Sequence, residues 1–135
     1  KGNRSLRQKT PRRLLYNRRK RQTKQKGNGK GMYFTHTKDG RTLTAALHGE
    51  IDHHSAKTAR TQLDLLIERE NPKVLRLQLA DVGFCDSSGL GFIMGRLKKM
   101  SETGGELIVA EPSPAIDRLL ALSGLDKMIK IERKV

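Results

Sequence analysis

From Met32 onward, apolar residues recur at alternate positions, then at every third or fourth, and the two rhythms take turns along the chain. Residues 32–37 (MYFTHT) and 41–48 (RTLTAALH) are rich in Thr and apolar side chains, and Lys38-Asp39-Gly40 between them predicts a β-hairpin. In its second strand Leu43, Ala45 and Leu47 share one face. Gly49 to Asp52 reads as a turn, with Asp52 placed to cap a helix. Ala56, Ala59, Leu63, Leu66 and Ile67 then recur at helical spacing up to Asn71-Pro72, a stop signal. Residues 73–80 (KVLRLQLA) predict a strand with Leu75, Leu77 and Leu79 on one face. Leu90, Ile93, Met94 and Leu97 mark the inner face of a second helix, ended by Gly104-Gly105. Residues 106–110 (ELIVA) form a continuous apolar run, as in the buried centre of a sheet. Ser113-Pro114 opens a third helix with Ile116, Leu119 and Leu120 inward, Ser123-Gly124 closes it, and 127–131 (KMIKI) predicts a last strand. The order β β α β α β α β implies a single α/β domain, a mixed and mostly parallel sheet with helices packed against it.

Charge divides the chain at the same place. The formal net charge is +14, but residues 1–31 hold 13 of the 28 Lys and Arg and no acid, while residues 32–135 balance the other 15 against all 14 Asp and Glu. Residues 1–31 therefore read as a basic disordered leader and 32–135 as the domain. Three origins of the leader stay open. It is an arm for nucleic acid, an idle solvated tail, or an added or misassigned start, since KQKGNGKG before Met32 resembles a purine-rich ribosome-binding sequence read in frame. No apolar run reaches the ~18 residues of a membrane span. Leu14, Leu15 and Tyr16 are too few for the apolar region of a signal peptide. The single Cys85 excludes an internal disulfide and fits a reducing, cytoplasmic location.

The chemistry concentrates in residues 83–92, GFCDSSGLGF, where two serines lie between a predicted strand and a predicted helix. A nucleophile elbow needs glycines two residues either side of its serine. Ser87 has Cys85 and Gly89 there, and Ser88 has Asp86 and Leu90, so neither fits. The glycines at 89, 91 and 95 approach a dinucleotide fingerprint but are one residue too widely spaced, and they follow the third strand rather than the first. No Gly-Lys-Ser/Thr occurs for a P-loop. Asp52, His53 and His54 lack the further cluster a metal site requires, so no catalytic centre, metal or cofactor is expected. Helix capping by Asp86, Ser87 or Ser88 satisfies free N–H groups, yet it does not need all three residues.

Three stretches together carry a family resemblance: 47–59 (LHGEIDHHSAKTA), 84–96 (FCDSSGLGFIMGR) and 104–125 (GGELIVAEPSPAIDRLLALSGL). With the strand order, they resemble STAS domains of the bacterial anti-anti-sigma factor type, most similar to the sporulation branch, over about residues 41–133. The resemblance implies a regulatory, non-enzymatic partner switch. The unmodified domain binds an anti-sigma factor that is also a serine kinase, and so frees a sigma factor for transcription. The kinase, using its own ATP, phosphorylates the first serine after the aspartate, Ser87 here. The modified form lets go, and a metal-dependent phosphatase of the PP2C type resets it. Asp52, His53, Asp86, Ser88 and Gly89 fall on the partner-binding face. Ser88 is then expected to be the helix cap, leaving Ser87 free. The leader has no counterpart in the family, and the final helix that the family often carries is not in this sequence. A STAS module of a stress-sensing assembly or lipid-transport complex is the alternative within the family, and nucleic-acid binding through the leader is the alternative outside it.

Overall fold

The computed structural model describes residues 31–83 and 85–133. The expectation of a disordered leader falls on residues 1–30, outside the described residues, apart from Gly31.

Two strands form the hairpin, β1 (Tyr33–Asp39) and β2 (Thr42–His48), paired antiparallel with Asp39 opposite Thr42. Gly40 makes the connection at φ +63, the left-handed region in which a side chain is strained. Helix α1 (His53–Glu70) leads to β3 (Val74–Asp81), α2 (Ser87–Ser101) to β4 (Glu106–Ala110), and α3 (Pro114–Ser123) with a 3₁₀ turn (Leu125–Lys127) to β5 (Lys130–Glu132). The strands lie in the order β1-β2-β3-β4-β5, and every pair after the hairpin is parallel.

Simple order has a geometric consequence. Crossovers of the usual right hand between successive neighbouring strands deliver all the helices to one side of the sheet. The burial pattern agrees. Leu43, Ala45, Leu47, Leu75, Leu77, Leu79, Leu107 and Val109 face the helices and are buried, together with Ala59, Leu63, Ile93, Ile116 and Leu120 from them. On the opposite face Thr35, Thr37, Thr44, Arg76 and Gln78 are half-exposed.

The ends of the elements follow their chemistry. Asn71 closes α1 in the left-handed conformation at φ 47, and Pro72 prevents its continuation. Ser113 Oγ accepts from the Ile116 N–H at the start of α3, and Gly124 ends that helix at φ 82. Two expectations need correction. Met94 is not inward but 53% exposed, because Phe92, Ile93, Arg96 and Met100 fill the buried face of α2, with Leu90 and Leu97 half-buried at its margins. The last strand covers only Lys130–Glu132, since Leu125 is spent anchoring the 3₁₀ turn and the chain extends only after Ile129.

Candidate functional site

The carboxyl ends of β2 and β3 are where an open α/β sheet presents its loops. Here the two loops are tied to each other by a parallel bridge between Ile51 and Cys85. The next residue on each chain is an aspartate, and each aspartate caps a helix. Asp52 Oδ1 accepts from the Ser55 N–H at 2.8 Å and from the Ser55 hydroxyl at 2.9 Å. Asp86 Oδ1 accepts from the Ser88 N–H at 2.8 Å. The bridge thus sets the N-termini of α1 and α2 side by side, both capped by carboxylate and both pointing their free N–H groups the same way.

Several contacts fix this arrangement. The Met32 N–H donates to Ser55 Oγ at 2.9 Å, binding the start of the described chain to the first turn of α1. Ser113 donates its hydroxyl to the Gly83 carbonyl at 3.0 Å, so the third helix start is anchored to the serine loop. Gly89 is buried, and a Cβ there would collide with Cβ and Sγ of Cys85. The absence of a side chain lets the first turn of α2 sit directly on the bridge. Burial pushes the Cys85 thiol up, with the Asp86 charge adding to it, so Cys85 is a packing residue rather than a nucleophile. The hydrogen bonds from Ser55 hold the Asp52 carboxyl below its usual range. Its contribution is therefore present above the ordinary carboxylate pKa and is lost as pH falls through the lowered one.

The structure brings Asp52, His53, Asp86, Ser87, Ser88 and Gly89 to one end of the sheet, and it redistributes their roles. Asp86 is the cap, not Ser88. An aspartate at that position reaches the N–H two residues on, which places Ser87 and Ser88 already inside the helix. Ser87 is exposed, Ser88 is half-buried, and among the described residues neither hydroxyl has a hydrogen-bond partner. His53 and His54 are exposed on the first turn of α1. Among the described residues no group of three His, Cys, Asp or Glu is arranged to hold a metal ion. No helix among them is long and apolar enough to cross a membrane.

Asp86→Ala is consequently expected to lose about 1 kcal/mol of stability, while Ser88→Ala changes it by less than about 0.5 kcal/mol. Urea unfolding of the two variants checks this, and the reverse ranking would return the cap to Ser88.

Sequence reasoning missed Lys57, Arg60 and Gly91. They line an open trench of about 200 Å³ between α1 and α2, bordered by His53 and Ser88, and the signal for it lies in two separate helices.

A profile of the STAS domain matches residues 33–135. An anti-sigma F factor antagonist of Paenibacillus polymyxa is 43% identical over 66% of this chain and 76% of its own length. The solved structure of the anti-sigma factor antagonist SpoIIAA in its unphosphorylated form superposes with a TM-score of 0.66 at 26% identity, covering 75% of this chain and 89% of that one. The Bacillus cell fate determinant SpoIIAA in the phosphorylated form superposes with a TM-score of 0.61 at 25% identity, covering 75% and 92%. The chain belongs to the STAS-domain family, among the anti-sigma factor antagonists.

Proposed function

We propose that this protein is a cytoplasmic partner switch whose unphosphorylated form binds an anti-sigma factor through the paired N-termini of α1 and α2. The anti-sigma factor is itself a serine kinase, and its capture frees a sigma factor. Transfer of the ATP γ-phosphoryl group to Ser87 Oγ ends the interaction, and a PP2C-type phosphatase restores it. The domain performs no catalysis of its own.

The observation that carries this reading is the exposed Ser87 hydroxyl, without an internal hydrogen bond among the described residues and placed at the first position of a helix whose capping is already supplied by Asp86. A kinase can take such a hydroxyl without dismantling the fold. A structural neighbour known in both unphosphorylated and phosphorylated forms supports a switch of this kind.

The test is reconstitution. Added to a purified complex of the cell's anti-sigma factor with its sigma factor, the full chain should release sigma factor, read as free sigma on gel filtration and as restored transcription from a sigma-dependent promoter. No release at an excess of the chain, with the complex otherwise intact, would refute the proposal.

A further inference from the structure

The α1–α2 interface closes at one end and opens at the other. Toward the C-termini, Arg96 pairs with Asp64 and Lys99 with Glu68 across the two helices. Toward the N-termini, α2 borders the trench with Ser88 and Gly91, and the trench opens over a floor of Ala56 from α1 and Phe92 from α2. Its α1 wall carries His53, Lys57 and Arg60, and no carboxylate lines it.

Gly91 is not required by the domain itself. It lies inside α2, it is absent from the positive-φ positions, and a Cβ there would meet nothing within 4 Å. Gly95, one turn on, is equally unconstrained. A glycine inside a helix costs about 0.5–1 kcal/mol relative to alanine. Gly89 has a reason for that cost in Cys85, whereas Gly91 has none within the fold. Bare backbone beside Lys57 and Arg60, neither of which forms an ion pair among the described residues although the Asp64 charge reaches Arg60, is suited to a close visitor of opposite charge.

We propose that the trench receives an acidic side chain on a segment of the anti-sigma factor, with Lys57 and Arg60 selecting its charge and Gly91 admitting its backbone. The inference rests on the function proposed above and names the chemistry that the partner must present. It also ties selection to the switch. Ser87 adjoins Ser88 at the trench border, so a phosphate there brings like charge toward the acidic visitor and competes for the same cations.

The test measures binding of the purified anti-sigma factor to the full chain and to two variants, Lys57→Glu/Arg60→Glu and Gly91→Leu. Charge reversal should weaken binding by about 10-fold or more at low salt, and the deficit should shrink in ~0.5 M salt. Gly91→Leu should keep or raise the thermal midpoint and still weaken binding by about 10-fold or more, since its side chain occupies the trench. Wild-type affinity in the charge-reversal variant overturns the inference while leaving the proposed function standing. The same is true if that variant loses only affinity for phosphatidylglycerol vesicles or duplex DNA. Failure of the wild-type chain to bind the anti-sigma factor overturns both.

Discussion

Phosphorylated at Ser87, the protein is expected to bind its anti-sigma factor about 100-fold more weakly or worse, with its fold unchanged. The two halves of this result come from different energies. Within the domain, a phosphate at the first helical position gains up to about 1 kcal/mol from the helix terminus, offset by repulsion from the neighbouring Asp86 carboxylate. These opposed terms are too small to unfold a domain whose core runs through α1, α2 and α3. In an interface the same dianion loses its water, and left unpaired it costs several kcal/mol, with every ~1.4 kcal/mol worth a factor of ten. Ser87→Asp should fold normally and bind poorly, with part of the phosphate's charge, while Ser87→Ala should bind and resist modification. Calorimetric titration with circular dichroism checks both halves. A phosphorylated form that binds as the unmodified one does would mean that Ser87 lies outside the interface.

The largest loss of stability is expected from Arg96→Ala, about 2–4 kcal/mol by urea unfolding. Arg96 is only 3% exposed. Its Nη2 donates to Asp64 Oδ2 at 3.1 Å, and Nε lies 2.8 Å from Oδ1 as a close charge contact rather than an aligned hydrogen bond. The guanidinium also donates to the Phe92 carbonyl and stacks over the Phe92 ring with 5.1 Å to its centre. Truncation removes all of this and leaves the Asp64 carboxylate without its main partner, in part relieved by the solvent that reaches it. Burial lowers the Arg96 pKa and raises that of Asp64, the latter opposed by the Arg96 charge. A carboxyl whose folded pKa is raised contributes stability that is present below the unfolded pKa and is lost as pH rises through the folded one. Because both charges lose water on burial, such a pair is often no better than a good apolar contact, although removing one member is costly. Asp64→Leu/Arg96→Met should accordingly recover to within about 1 kcal/mol of the wild type, and a double variant worse than either single change would contradict this reading.

What the sequence revealed and what it hid divide along physical lines. The succession of strands and helices, the Asp52 and Ser113 helix starts and the Asn71 and Gly124 stops depend on interactions within a few residues, so local pattern discloses them. The cap of α2 did not follow because Asp86, Ser87 and Ser88 are all competent caps. Only the backbone, extended at Asp86 and helical from Ser87, decides between them. Met94 has the hydrophobicity of a core residue, but Phe92 and Arg96 occupy the places that helical spacing also permits. A buried arginine is legible only once Asp64, 32 positions away, is known to face it. The candidate site shows the same limit. The two aspartates and two serines were visible as a motif. Their juxtaposition depends on the Ile51–Cys85 bridge between distant loops, and the trench with Lys57, Arg60 and Gly91 depends on how two helices pack.

The central claim, that Ser87 is the switch, is tested most directly by mapping the phosphate. The full chain is incubated with its anti-sigma kinase and ATP, digested, and the modified peptide fragmented to locate the added group. The label is predicted on Ser87, with none acquired by Ser87→Ala and undiminished modification of Ser88→Ala. A label found on Ser88 alone, retained in Ser87→Ala, would contradict it.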